Sequence, residues 1–230
     1  MKKSLFSFIM LMVAWGTVSA DVEHYECDFR HDGIPYSIVN STEVVACDDY
    51  DRPTESGNIP EKVTFNGRTF TVIGLSEFCN HSENIQQITL PGSIIFVKGS
   101  FRECESLKSL VLPSSVISFA CYNYDHEDHY LNLEMLKLES ANPPYTTPES
   151  FLESHYQNTT LLVPAGSINV YKSHPVWGKF KHITDVSAVS DIEVDDSKNG
   201  LWFDLDGHVF NQKPAESGVY IHNHQKVRVK

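Results

Sequence analysis

Histidine and carboxylate side chains crowd one short stretch, Asp125-His126-Glu127-Asp128-His129, the densest ionisable cluster in the chain. Imidazole nitrogens and carboxylate oxygens ligate zinc and other divalent ions, so a metal-dependent hydrolase centred on His126 and His129 is one function these residues raise. Their spacing matches no ligand motif on a known element, and a solvated loop is the reading the residues favour. His222-x-His224 is a weaker pair, placed in an expected hairpin turn. Other chemistries lack their motifs. There is no Gly-rich phosphate loop, no His-Glu-x-x-His helix and no Gly-x-Ser-x-Gly elbow. Ser, His and Asp residues that no fold gathers carry no weight as a triad. The expectation is a protein that is not an enzyme and has no catalytic residue, cofactor or metal.

The elements that would position any site are written as a repeat. Ile85-x-x-Ile88-x-Leu90-Pro91-x-Ser93-Ile94 recurs 22 residues later as Leu107-x-x-Leu110-x-Leu112-Pro113-x-Ser115-Val116. Leu133-x-x-Leu136-x-Leu138 and Leu161-x-Val163-Pro164 continue it with a longer period. A fixed offset of this size with L-x-x-L-x-L spacing predicts a leucine-rich-repeat solenoid, one short strand and a turn or irregular return per repeat. Its apolar rows are buried only by stacking. Phe78 and Phe101 should plug the interior.

The segment Phe101-x-x-Cys104-x-x-Leu107-x-x-Leu110-x-Leu112-Pro113-x-Ser115-Val116 resembles the BspA-like leucine-rich repeats of Bacteroidota surface proteins, over about residues 73–183. The pattern departs from that family at Phe78 to Ile85, which has one residue too many, and at Cys121 to Tyr130, where the small-Phe-x-x-Cys run is lost. The resemblance implies a surface or secreted recognition protein.

In each strand the alternate positions should point outward: Gln87 and Thr89, Ser109 and Val111, Met135 and Lys137, Thr160 and Leu162. Val111, Met135 and Leu162 are apolar where water is expected, which marks this exposed strand face as a candidate ligand stripe. Against that, single apolar groups on a strand face are ordinary.

Around the repeats, residues 1–20 read as a secretory signal: Lys2 and Lys3, an apolar run to Trp15, and Val18-Ser19-Ala20 before Asp21. No later run is long enough to cross a bilayer. Residues 21–75 read as a β-rich amino-terminal cap with hairpin turns at Asp32-Gly33 and Asn66-Gly67. Residues 76–186 hold the repeats and a closing turn, in which Ser167 caps a short helix from Ile168 to His174 and Trp177, Phe180 and Ile183 cover the core. Residues 187–200 form an acidic linker, expected to be a mobile tether. Residues 201–230 form a small β module that resembles the carboxyl-terminal sorting modules of Bacteroidota exported proteins, through Asp204-Leu205-Asp206-Gly207 and Gly218-Val219-Tyr220-Ile221.

The formal net charge of −12 becomes −14 once Lys2 and Lys3 are removed, because residues 1–20 contain no Asp or Glu. Such a surface repels phosphate backbones and argues against nucleic acid as a partner. Five Cys is an odd number, so in an exported chain at least one is free or paired between molecules. Cys104 takes an inward repeat position and reads as a small buried hydrophobe. With two-residue turns at Asp32-Gly33 and Asn40-Ser41, Cys27 and Cys47 fall four residues apart along the sheet. That is about 13 Å, too far for a bridge.

Taken together, these readings predict a non-catalytic exported leucine-rich-repeat recognition module at the cell surface or secreted, with retention in the periplasm as an alternative. It would bind a protein or a glycan. The rivals are the hydrolase at His126 and His129 and a structural component of an extracellular layer. Ligand identity and oligomeric state stay open.

Overall fold

The computed structural model describes residues 26–48, 57–80, 82–102, 104–121, 132–187 and 200–229. In chain order the strands are β1 (Phe29–His31), β2 (Ile34–Ile38), β3 (Glu43–Cys47), β4 (Lys62–Phe65), β5 (Arg68–Ser76), β6 (Gln87–Thr89), β7 (Phe96–Lys98), β8 (Ser109–Leu112), β9 (Ser118–Ala120) and β10 (Met135–Leu138). Helix α1 (Glu153–Asn158) precedes β11 (Thr160–Val163), and helix α2 (Ile168–Ser173) precedes β12 (His182–Asp185). The chain ends with β13 (Trp202–Asp204), β14 (Val209–Phe210), β15 (Gly218–His222) and β16 (Gln225–Val229).

These elements form three sheets. A seven-stranded mixed sheet runs β1-β2-β3-β5-β7-β9, with β4 also on β5. A five-stranded sheet runs β12-β11-β10-β8-β6, all parallel, and a four-stranded antiparallel sheet runs β14-β13-β15-β16.

The expected leucine-rich-repeat solenoid, one strand and an irregular return per repeat behind a separate hairpin cap, is therefore corrected: the fold is mixed α/β with three sheets. The returns are not irregular, because Ile94-x-x-Val97 and Val116-x-x-Phe119 place apolar groups where β7 and β9 can turn them inward. Both strands then pair in parallel with each other, and β7 with β5. Nor is the amino-terminal region a separate cap. Strand β5 pairs on one side with β3, and on the other with its hairpin partner β4 and, further along, with β7, so hairpins and returns share one sheet. Two short helices also stand in the carboxyl half.

The recurring residues lie side by side in the parallel sheet, with Ile88 opposite Leu110, Leu110 opposite Leu136 and Leu136 opposite Leu161. Their inward rows meet those of β5, β7 and β9 in one continuous apolar interior that includes Leu75, Val97, Phe119, Leu110 and Leu136. Phe78 and Phe101 plug it edge to face, with ring centroids 6.5 Å apart. At the carboxyl end Phe151, Tyr156, Trp177 and Phe180 close it as an aromatic cluster, and Trp177 Nε1 donates to Pro144 O at 2.8 Å.

Two tight turns fix the amino-terminal hairpins. Asp32 and Gly33 (φ 49° and 80°) join β1 to β2, and Asn66 and Gly67 (φ 51° and 72°) join β4 to β5. Positive φ at both central residues is the two-residue geometry that suits twisted strands. The turn from β2 to β3 has three residues rather than two, since Val39 N donates to Glu43 O at 3.0 Å. The register slips by one, Tyr36 facing Ala46, so Cys27 and Cys47 stand three residues apart along the sheet, about 10 Å. Ser167 occupies the position before α2 but makes no capping hydrogen bond through its side chain. Among the described residues no helix is long and apolar enough to cross a membrane.

Candidate functional site

The outward face of the parallel sheet carries the eight expected ligand-stripe residues, but it is not an open face. Gln87 and Thr89 on the edge strand β6 are exposed and Lys137 is half-buried. Ser109, Val111, Met135, Thr160 and Leu162 are buried. The expectation that these five line a solvent-facing stripe is corrected, because the four-stranded carboxyl-terminal sheet lies on them.

That contact is built from alternation on both sides. Strands β13 and β15 send Phe203 and Ile221 to one face, where they pack with Leu201, Leu205 and Val209 against Met135 and Leu162. The opposite face sends Trp202, Tyr220, Val227 and Val229 into a small cluster of its own. Gly207 allows the closest approach. It has φ 97°, and a Cβ there would fall 2.5 Å from Val111 Cγ2. The Ser109 hydroxyl beneath it is buried without a hydrogen-bond partner.

Polar contacts ring this apolar centre. Val209 N donates to Gln87 Oε1 at 3.0 Å. Thr160 Oγ1 and His224 Nδ1 lie 2.9 Å apart, and the His224 ring stacks on His182 at 4.1 Å between centroids. Burial, then the neighbouring His182 and Lys181, hold the His224 imidazole below its ordinary pKa of 6.5. Lys226 Nζ donates to Asp185 Oδ1 at 3.2 Å and to Ser187 O at 2.8 Å. Hydrogen bonds from the Ser187 hydroxyl, the backbone of Ser187 and Gly166, and Lys226 pull Asp185 down to about 2. The expectation that the tail moves independently is corrected for residues 201–229, which are docked. Most of the expected 187–200 tether lies outside the described residues.

Asp125, His126, Glu127, Asp128 and His129 also lie outside the described residues. His222 is not poised as a ligand. Its ring stacks on Trp202 at 4.1 Å, with Nδ1 3.2 Å from Leu201 O and Nε2 2.9 Å from Asn223 Nδ2. Among the described residues no group of three or more His, Cys, Asp or Glu side chains is placed to hold a metal ion.

The surface that stays open is on the other side of the molecule. Ile73, Ile95 and Ile117, again 22 residues apart, stand next to one another on the outer face of the mixed sheet. Ile95 N donates to Ile73 O, Ile117 N to Ile95 O and Tyr145 N to Ile117 O, each at 2.9 Å. Phe96 lays its ring across Gly74, where a Cβ would fall 2.3 Å from ring carbons. The row emerges from the surface as it goes: Ile73 is buried, Ile95 and Phe96 are half-buried, Ile117 is 50% exposed and Tyr145 61%. Sequence reading missed this row, although the same 22-residue offset marks its three isoleucines. In comparisons with known proteins, no family model, curated protein or solved structure matches this chain.

Proposed function

We propose that the chain is an exported, non-catalytic binding module that engages a protein ligand through the outer face of its mixed sheet. One observation carries this reading: Ile117 and Tyr145 stand side by side and exposed at the end of an apolar row, with half-buried Ile95 and Phe96 behind them. Tyr supplies a large, rigid, amphipathic contact area and is enriched in interface cores. Tyr145 is in register with Ser118, and Ile117, Ile95 and Phe96 lie beside and behind them, a mostly apolar surface that suits the side chains of a protein better than the hydroxyls of a glycan.

The chain's acidic balance favours a partner whose surface around that apolar contact is basic, since complementary charge speeds encounter and rejects acidic competitors. The signal-like segment at residues 1–20 and the sorting-type resemblance of residues 201–230 support delivery outside the cytoplasm. The interface is thus separate from the strand face that the carboxyl-terminal sheet occupies.

The test is a binding screen of the mature chain against host-protein and glycan panels, repeated with Tyr145→Ala and Ile117→Ser. A captured protein should lose tenfold or more in affinity with either variant, equivalent to about 1.4 kcal/mol. Undiminished binding would move the site elsewhere. Capture of glycans alone would replace the ligand class. Concentration-dependent self-association abolished by Tyr145→Ala would replace recognition with a layer-forming role.

A further inference from the structure

We propose that Cys79 and Cys104 are joined as an intrachain disulfide in the mature protein. The two sulfurs are 3.8 Å apart in the buried interior, and the Cys104 thiol also contacts the Cys79 carbonyl. A disulfide needs about 2.05 Å between sulfurs, so bond formation asks for a small closing movement of groups already in contact.

The backbone holds them there independently of the sulfurs. Cys79 lies in the turn after β5 and Cys104 in the turn after β7, and three contacts clamp these turns together. Phe101 N donates to Phe78 O at 2.9 Å, Phe78 N to Ser100 Oγ at 3.0 Å and Arg102 N to Asn80 Oδ1 at 2.8 Å. Residues Glu77, Cys79 and Phe101 take positive φ of 55°, 60° and 69°, a conformation that side chains other than glycine rarely adopt.

The chemistry balances by exchange with an external disulfide, either a low-molecular-weight one such as oxidised glutathione or that of an oxidising protein. The thiolate of one cysteine attacks it to form a mixed disulfide and releases one thiol. The second thiolate then displaces the other half, so two protons and two electrons leave the protein and the oxidant departs as two thiols. Only a thiolate does this, and in the folded interior the Cys79 thiol is strongly disfavoured from ionising, first by its contact with Cys104 and then by burial. Bridging therefore belongs to folding, before the interior closes. The bond would tie the amino-terminal half of the mixed sheet to the first return, across β6 and β7. The setting in the cell rests on the exported reading; the chemistry can be tested without it.

The full chain is refolded from denaturant in a mixture of oxidised and reduced glutathione, alkylated, and digested with trypsin without reduction. The expected product is peptide 69–98 linked to peptide 103–108, with three of the five cysteines alkylated. Chain folded under reducing conditions and then moved to the same buffer should form the link far more slowly. Five alkylated cysteines, or Cys104 linked to peptide 109–137 through Cys121, would overturn the proposal. Cys79→Ser should remove the link and restore alkylation at Cys104; a Cys104 that then finds another partner in equal yield would show that the pairing is not specified. Because the mapping uses the native sequence, it does not depend on how the variant folds, and it is independent of any ligand.

Discussion

Two buried regions of this molecule are made in different ways. The interior between the parallel sheet and the mixed sheet is one continuous set of apolar side chains, drawn from every repeat and closed by aromatic rings. The contact between the strand face and the carboxyl-terminal sheet has a small apolar centre, Met135 and Leu162 against Phe203 and Ile221, held by hydrogen bonds and charged pairs around its edge. The difference teaches that the first region is set chiefly by packing, so volume changes disturb it most, while the second answers to acid and salt as well.

The largest effect should come from the interior. Leu110→Ala leaves a cavity in a fully buried row and should destabilise the whole fold by about 2–5 kcal/mol in denaturant unfolding. A loss below about 1 kcal/mol would erase the distinction between the two regions.

Next is Gly207→Val, which places a branched side chain against Val111 at a position with φ 97°. It should weaken docking by about 1–3 kcal/mol, the range for overpacking a filled site. Faster amide exchange at Met135 and Leu162, with protection at Leu110 retained, would separate the two regions. Joint loss of protection would show that they unfold as one.

Acid should act on the second region first. The docked His224 has a lowered pKa, so the undocked form binds more protons below 6.5. Its contribution is complete above 6.5 and is lost as pH falls below that value, where His224 would carry its charge beside His182 and Lys181. Asp185 adds a smaller loss in the same direction below its ordinary value of 3.8, because of the hydrogen bonds that lower it only that from Lys226 crosses the contact, while those from Ser187 and Gly166 do not. Docking followed by amide exchange should weaken from pH 7 to pH 5, and His224→Gln should flatten that slope. Solvent access to His224 keeps the change small.

The Lys226–Asp185 pair, with both side chains 13% exposed, makes docking sensitive to salt. Lys226→Ala should remove part of that sensitivity, read as the difference between melts at low and high ionic strength. The smallest change should be a gain. Ser109→Ala removes a buried, unpaired hydroxyl under Gly207 and should stabilise the contact by roughly 0.5–1 kcal/mol. A loss of stability instead would mean that the hydroxyl is bonded.

Much of the local structure was legible because it is encoded locally. A 22-residue recurrence puts Ile88 beside Leu110, and Asn66-Gly67 writes its own two-residue turn. Strand alternation likewise decided that Ser109, Val111, Met135 and Leu162 turn away from the interior. It did not decide that they are buried. In β8 all four residues are buried, since both faces are covered and alternation leaves no trace in exposure.

What covers them was decided only by the tertiary structure. The match of Phe203 and Ile221 to Met135 and Leu162 joins segments far apart in the chain, and no period or turn motif records such a match. The same holds for the sheet shared by hairpins and returns, whose register across β5 depends on pairing that forms at a distance. The near contact of Cys79 and Cys104 is of this kind too. Two turns 22 residues apart, clamped together through their backbones, present one thiol each to the same buried spot. The sequence by itself determined which residues form rows, because neighbours along the chain dictate turn chemistry and strand alternation. Which rows meet was decided by folding, because burying apolar area is non-directional and any complementary face in reach can satisfy it.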